Sequence, residues 1–277
     1  MSELSDKDIA QQLRAQHKEQ EVKKTNFPTE IIDLPSKGLL YPEEHPLATG
    51  KIEMKYMTAR EEDILTSGNL IRQGVVIDKL LESLIVTPVK YSDLIVGDKN
   101  AIMIAARVLG YGKDYQVKVT CPKCSEESDL IDIDLTSFTN KEVDESNITK
   151  GKNEFHFRLP AAKRDITFKL LTHGDERAID QEVKSFKKKI SKTGIDNALT
   201  TRLSHIIQSV DGNQDKKFIR DFVQDELFAL DSRSLRDYIK QVSPDIDTTF
   251  HFECDHCGHE VPDMTVPIGI DFFWPGA

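Results

Sequence analysis

The chain has 277 residues, of which 38% are hydrophobic and 30% are charged, and its formal net charge is −10. This length is sufficient to bury a core in one or two domains. The acidic balance disfavours nucleic-acid binding, because a negative protein repels phosphate backbones. No apolar run approaches the roughly 20 residues of a membrane span, and the first residues do not resemble a secretory signal. We therefore expect a soluble protein with reduced cysteines.

The first fifty residues divide into two segments. Residues 1–26 are polar and charged, and we predict an arm that is helical in part. Residues 27–50 are rich in Pro and Gly and are predicted to be extended. Within them, Leu34–Pro42 has the composition of a turn, with Gly38 where a positive φ would be needed. Its apolar residues are expected to cover either this protein's own surface or that of a neighbouring subunit.

Two longer stretches, residues 51–135 and 165–270, carry the periodic patterns, and a polar linker at 136–164 joins them. A short aromatic tail follows at 271–277. In the first stretch we predict a strand at 51–57, helices at 59–67, 69–86 and 99–109, and strands at 115–120 and 130–135. In the second we predict a strand from 165, helices at 174–192, 196–210, 215–229 and 232–242, and strands at 248–253 and 264–268.

The two stretches resemble each other. Asp98 and Cys121 are separated by the same number of residues as Asp231 and Cys254. An apolar run leads to each aspartate, which is a favourable N-cap residue, and a helix is predicted to follow it. Self-similarity over such a length is typical of tandem repeats. The sequence therefore predicts an α+β fold of two tandem repeats, each made of a strand, helices and a cysteine-bearing hairpin.

The four cysteines form two Cys-x-x-Cys pairs, Cys121 with Cys124 and Cys254 with Cys257. Each pair lies between two predicted strands, in a turn that aims both thiolates at one point. Two such turns supply the four sulfur ligands that a structural Zn²⁺ prefers. Because the pairs are far apart in sequence, a local zinc finger is excluded. We predict that the two zinc-knuckle hairpins meet in one zinc-ribbon-like site, which binds one Zn²⁺ per chain.

Other chemistries use the same residue types. Two redox dithiols or a mononuclear iron site remain alternatives, but a redox pair normally opens a helix, whereas a strand is predicted after each pair here. His256 and His259 flank Cys257 and could replace a thiolate or bind a second metal. Four thiolates already complete a tetrahedron, so we expect both histidines to be solvated.

Catalytic motifs are missing from the sequence. It contains no Gly-x-Gly-x-x-Gly loop, no Gly-x-Ser-x-Gly elbow and no His-Glu-x-x-His helix. A zinc bound by four thiolates also lacks the open position that a catalytic zinc keeps. The sequence thus predicts a protein that is not an enzyme, whose only cofactor is a structural zinc.

Several short motifs point to a family. They are Leu34–Pro42, the run Met57-Thr58-Ala59-Arg60-Glu61-Glu62, Gly97-Asp98, Cys121-Pro122-Lys123-Cys124 and Phe273-Trp274-Pro275. Together they resemble the baseplate hub and hub-assembly proteins of T-even-like contractile-tailed bacteriophages, over most of residues 27–275. The resemblance implies a non-enzymatic protein that is either a hub component or a factor that helps the hub assemble.

Two functional hypotheses follow. In the first, the chain is a phage tail baseplate protein that binds other tail and baseplate proteins through its arm, its Leu34–Pro42 loop and its aromatic tail. It would act in the host cytoplasm during assembly, and its presence in the virion baseplate and its oligomeric state stay open. Trp274 could equally be buried within the chain. In the second, the zinc ribbon belongs to a nucleic-acid-binding or regulatory protein, which the negative charge disfavours.

Overall fold

The computed structural model describes residues 27–189 and 197–273. The predicted arm at 1–26 lies outside the described residues. Helices and small antiparallel sheets alternate along the chain, which confirms the predicted mixture of α and β structure. Within the described ranges, no helix combines the length and apolar composition that crossing a bilayer would require.

The N-terminal half, residues 27–135, follows the predicted order of elements, with one strand added in front. Its strands are β1 (Thr29–Asp33), β2 (Lys51–Lys55), β3 (Asp114–Val117) and β4 (Ile131–Asp134). Its helices are α1 (Ala59–Leu65), α2 (Gly68–Gln73), α3 (Val76–Leu84) and α4 (Val96–Tyr111). The single helix predicted at 69–86 is wrong, because Gly74 adopts a left-handed conformation with φ 68° that ends α2.

The C-terminal half differs more from prediction. Its helices are α5 (His173–Lys189), α6 (Ala198–Ile206), α7 (Lys216–Asp225) and α8 (Ala229–Val242). Its strands are β6 (Phe155–Arg158), β7 (Asp165–Phe168), β8 (Ile207–Val210), β9 (Ile246–Asp247), β10 (Thr249–Glu253) and β11 (Glu260–Thr265), and β5 (Thr139–Asn140) precedes them. The helix predicted at 196–210 is wrong in its last turn, which is strand β8. The strand predicted at 264–268 begins earlier, at Glu260.

All strand pairs are antiparallel. β1 pairs with β2, β3 with β4, and β10 with β11, while β6, β7 and β8 form one three-stranded sheet. The short pair β5 and β9 joins the segment after the first cysteine hairpin to the segment before the second. The segment predicted as a linker at 136–164 therefore takes part in strand pairing, and it connects the chain next to the two cysteine hairpins.

The two halves also meet at the start of α4. The Val96 N–H donates to the Leu171 carbonyl at 3.2 Å, and the His173 N–H donates to the Leu94 carbonyl at 2.8 Å. Nearby, Gly97 lies so close to the Pro244 carbonyl that no side chain fits between them. This contact between the halves is thus a backbone contact, which requires glycine at that position.

The Leu34–Pro42 loop and part of the aromatic tail contribute to the core, although the sequence did not determine whether they are buried. Leu34, Leu40 and Tyr41 are buried, so the Leu34–Pro42 loop covers this protein's own surface, and Gly38 has the expected positive φ of 75°. Phe272 and Phe273 are also buried. The prediction that this tail forms an exposed contact surface is therefore wrong for these two residues, because their rings pack into the core. Residues 274–277, with Trp274, lie outside the described residues.

Two aspartates predicted as N-caps have another role. Asp98 and Asp231 lie inside the first turns of α4 and α8, after the cap residues Ile95 and Phe228. The Asp98 carboxylate accepts hydrogen bonds from the Ser36 N–H at 2.9 Å, the Ser36 hydroxyl at 2.7 Å and the Tyr41 hydroxyl at 2.7 Å. Each buried carboxylate thus anchors a loop that is distant in sequence.

The loop that Asp231 anchors corresponds to the one at Ser36. The backbone N–H groups of Ala161 and Ala162 donate to the Asp231 carboxylate at 2.6 and 3.0 Å. That loop follows β6 and begins with Leu159-Pro160, as the loop after β1 begins with Leu34-Pro35. Both halves therefore use an aspartate in a helix to hold a Leu-Pro loop between two paired strands.

A second hydrogen-bond network also occurs in both halves. Lys55 donates to Glu61 at 2.7 Å, and Glu61 accepts from the Thr58 backbone N–H at 3.0 Å. In the C-terminal half the corresponding bonds join Lys169 and Thr172 to Asp175, at 2.8 and 3.1 Å. The spacing from lysine to threonine to carboxylate is the same in both. Each network fixes the turn from a strand into the following helix.

We expect Glu61→Gln to destabilise the protein by about 2 kcal/mol at pH 7, because it leaves Lys55 without its buried partner. Burial raises the pKa of Glu61, but hydrogen bonds from Lys55, Thr58 and Ser83 outweigh it and lower the pKa to about 2. A lowered carboxyl pKa stabilises the fold above the unfolded pKa, so the difference from wild type should shrink as pH falls from about 4.5 towards 2. Chemical denaturation between pH 7 and about pH 3 measures this difference.

The control for this measurement is Asp63→Asn, at an exposed position in the same helix. It should leave the free energy of unfolding within about 0.5 kcal/mol of wild type at every pH. An equal loss in both variants would contradict the assigned network.

Candidate metal centre

The first cysteine turn lies between β3 and β4. The Cys121 N–H donates to the Glu126 carbonyl, and the Ser125 N–H donates back to the Cys121 carbonyl, each at 2.9 Å. Ser125 has a positive φ of 62°, which a non-glycine residue adopts only at some cost. These bonds curl the chain so that Cys121 and Cys124 face the same side.

The second turn, between β10 and β11, has the same hydrogen bonds. The Cys254 N–H donates to the His259 carbonyl at 3.0 Å, and the Gly258 N–H donates to the Cys254 carbonyl at 2.8 Å. Gly258 also has a φ of 62°, at the position that Ser125 occupies in the first turn. The two turns therefore present their thiols in the same way.

The four sulfur atoms converge on one point. All lie within 4.8 Å of one another, with the Sγ atoms 3.8 Å apart for Cys121 and Cys257 and 3.7 Å apart for Cys124 and Cys254. Four sulfurs placed about 2.3 Å from a central Zn²⁺ form a tetrahedron with edges of about 3.8 Å. A disulfide would require a separation near 2.05 Å. The spacing therefore fits a tetrahedral thiolate site and not two disulfides.

The pKa values of the thiols are shifted in opposite directions. The backbone N–H groups of Cys124 and Lys123 lower the pKa of the Cys121 thiol to about 6. The N–H of Glu126 lowers the pKa of Cys124, but burial and the other thiols raise it to about 12. Burial likewise raises the pKa of Cys257. Without a cation the cluster thus retains protons, and a bound divalent metal would displace them.

The neighbouring histidines stand apart from the cluster. It contains Cys121, Cys124, Cys254 and Cys257, and neither His256 nor His259. The His256 ring Nε2 lies 3.2 Å from the Glu127 carbonyl oxygen of the first hairpin. His256 thus links the two turns from outside the sulfur tetrahedron.

Helix α4 and the end of the chain support the first hairpin. The buried Arg107 guanidinium donates to the Phe272 carbonyl at 2.9 Å and to the Gly112 carbonyl at 3.2 Å. The Phe272 ring packs edge-on against Tyr115 of β3, with ring centroids 5.0 Å apart. The segment that follows the second cysteine hairpin thus packs on the strand that precedes the first cysteine turn.

Sequence reasoning identified the four cysteines but missed their supports. Arg107 carries no local signal that separates it from an ordinary helix-surface charge. Glu61 does carry one, because Thr58 and Glu61 have the spacing of a capping box at the start of α1. The Leu-Pro pairs at 34–35 and 159–160 also carry one, since each follows a strand-like segment with two large apolar residues and precedes a lysine by two or three positions. They mark a strand in front of each of the two stretches predicted at 51–135 and 165–270.

Comparison with protein-family models gives a match over most of the chain. A family model described as "T4 bacteriophage base plate protein" matches residues 28–274. Neither the curated proteins nor the solved structures contain a significant match. The family match covers nearly the whole chain, including both halves and all four cysteines.

Proposed function

Because the chain belongs to the T4 bacteriophage base plate protein family, we propose that it is a non-enzymatic structural or assembly protein of the baseplate hub. It acts by binding other tail and baseplate proteins, in the host cytoplasm during tail assembly and in the virion baseplate where it is retained. The match over residues 28–274 carries this proposal. The absence of catalytic motifs from the sequence agrees with it.

We further propose that one Zn²⁺, bound by Cys121, Cys124, Cys254 and Cys257, holds the two halves together. Support comes from the sulfur separations of 3.7 and 3.8 Å and from the matching turns that present the thiols. Such a metal is structural, because four protein ligands leave it no open position. In a baseplate it would keep the two halves in a fixed relative position.

The two halves are, in this proposal, tandem repeats closed by the shared zinc ribbon. Support comes from three features that occur once in each half: the aspartate that anchors a Leu-Pro loop, the Lys-Thr-carboxylate network, and the cysteine turn. The repeats would then begin at β1 and β6. This places the start of each before residues 51 and 165, and assigns residues 155–164 to the second repeat.

Metal content tests the zinc proposal directly. Protein purified without added zinc should contain one Zn²⁺ per chain by elemental analysis, because a four-thiolate site binds zinc tightly at neutral pH. Iron found in place of zinc would correct the identity of the metal and would leave the four-cysteine ligand set unchanged. A metal-free protein with reactive dithiols or disulfides would contradict it and favour redox chemistry.

The baseplate role is tested by complementation of a phage that lacks its own copy of this protein. The wild-type chain supplied in trans should restore tails with complete baseplates, as counted by electron microscopy. Mass spectrometry of purified particles then separates a retained hub component from an assembly factor. Normal baseplates in the absence of the protein would contradict both roles.

A further inference from the structure

Each of the two segments that form the contact between the halves has a counterpart in the other half, and the corresponding backbone groups of these two counterparts have no hydrogen-bond partner among the described residues. In the N-terminal half, residues 94–97 lead into α4 and pair with residues 171–173 at the start of α5. Ile95 and Thr172 form an antiparallel bridge there, and Ile95 is only 3% exposed. The C-terminal half has the corresponding segment, residues 227–230, at the same distance before its aspartate.

We call residues 227–230 the exit surface. Phe228 and Leu230 are 57% and 58% exposed, although both are large and apolar. Within the described ranges, the Leu227 carbonyl and the Ala229 N–H have no hydrogen-bond partner. The backbone is already set for pairing, because Phe228 (φ −67°, ψ 152°) has nearly the conformation of Ile95 (φ −67°, ψ 145°).

The N-terminal half has the complementary segment, residues 56–59, which we call the entry surface. It corresponds to residues 170–173, since Thr58 and Thr172 occupy the same position in the Lys-Thr-carboxylate networks. Tyr56 and Ala59 are exposed, whereas the corresponding Leu170 and His173 are buried against the N-terminal half. Among the described residues, the Met57 carbonyl and the Ala59 N–H bond to nothing.

We propose that the exit surface binds the entry surface of a second copy of this chain, head to tail. The Ala229 N–H donates to the Met57 carbonyl of the second copy, whose Ala59 N–H donates to the Leu227 carbonyl. These bonds reproduce those from Val96 to Leu171 and from His173 to Leu94 within one chain. The proposal rests on the repeat relationship proposed above and not on the metal.

The contact between copies resembles the internal one without being identical to it. Leu230 stands where the internal contact has Gly97, whose lack of a side chain permits close approach of the Pro244 carbonyl. The second copy is therefore held farther away at that point, and Leu230 contributes apolar area in place of backbone contact. Because the two surfaces differ, the interface is heterologous and generates either a closed ring or an open chain of copies.

Two variants remove one surface each without disturbing the fold. Phe228→Asp replaces the exposed ring by a favourable N-cap residue of α8. Ala59→Pro deletes the N–H of the entry surface at the first position of α1, where proline is well tolerated and the preceding Thr58 is already extended. The matched controls are Leu130→Asp, at an exposed leucine elsewhere, and Lys216→Pro, at the first position of α7.

Sedimentation velocity of the full chain up to about 200 µM is the measurement, since self-association follows mass action. Wild type and both controls should associate, and each surface variant should weaken association roughly tenfold or more. An equimolar mixture of Phe228→Asp and Ala59→Pro should form dimers and nothing larger, because each copy keeps one intact surface.

Three results on self-association would overturn the proposal. They are a wild-type chain that stays monomeric over this range, association that survives either surface variant, and a mixture of the two variants that forms no dimer. Binding of another tail protein to the exit surface of a monomeric wild-type chain would also overturn it. Metal content should be unchanged in all these variants, because none of them alters a cysteine turn, so failure here leaves the zinc proposal intact.

Discussion

Cys254→Ser should release the metal and remove most of the stability of the fold. A structural zinc site in small domains contributes about 10 to 16 kcal/mol at neutral pH, while whole domains are stable by only about 5 to 15 kcal/mol. Cys254 is 2% exposed, and it faces Cys124 of the other hairpin at 3.7 Å. Loss of the Cys254 thiol therefore removes one ligand of the proposed zinc site, which joins the two halves. Elemental analysis and thermal unfolding of the same sample measure both effects.

The histidine variant His256→Ala is the matched control. His256 belongs to the same turn and bonds to Glu127 across the two hairpins, but it lies outside the sulfur cluster. It should keep one Zn²⁺ per chain and lose about 1 kcal/mol at most. Equal metal loss in Cys254→Ser and His256→Ala would mean that the ligand set is misassigned.

Chelation of the wild-type chain gives a test that does not depend on a variant folding. A strong chelator should lower the unfolding temperature, and added zinc should restore it, because the thiols are regenerated intact. If the chelated protein keeps its unfolding temperature, the metal does not hold the halves together. The β5–β9 pairing, the bond from Arg107 to the Phe272 carbonyl and the packing of Phe272 on Tyr115 would then hold this end of the molecule together.

The cysteine cluster could be predicted from sequence because its signal is local. The spacing within each Cys-x-x-Cys turn indicates that its two thiols face one point. Because a structural zinc needs four ligands, the two turns are expected to come together, whatever the fold between them. The helices were predicted for the same reason, since their apolar spacing repeats within a few residues. Where local spacing was misleading, the prediction failed.

Residues 203–210 show such a failure. Leu203, Ile206, Ile207 and Val210 have the spacing of one helix face, and a helix was therefore expected to continue through 210. In the structure, Ile207–Val210 pairs with β7 instead. The β-branched residues here are compatible with a helix and with a strand. Pairing with β7, which is distant in sequence, stabilises the strand.

The role of the two aspartates could not be predicted either. Their local pattern is that of an N-cap, and nothing near them in sequence indicates a loop more than sixty residues away. Such long-range hydrogen bonds become visible only when the fold is known. The repetition of the arrangement in both halves is what makes it informative about the architecture.

We expect Asp98→Ala to destabilise the protein by about 3 to 4 kcal/mol. The variant leaves the Ser36 N–H, the Ser36 hydroxyl and the Tyr41 hydroxyl without their acceptor in a fully buried site. Buried donors that lose their partner cannot be satisfied by water, so each adds its full desolvation cost. Chemical denaturation of both proteins in the same buffer with added zinc measures the difference in the free energy of unfolding.

Asp231→Ala provides the comparison within the same molecule. Asp231 is also buried, but one of its donors, Ala161, lies on an exposed loop where water can replace the carboxylate. The expected loss is therefore smaller, about 2 kcal/mol. A larger loss for Asp231→Ala than for Asp98→Ala would show that the loop at residues 159–164 matters more to the fold than burial alone indicates. Equal and negligible losses would contradict the anchoring role of both aspartates.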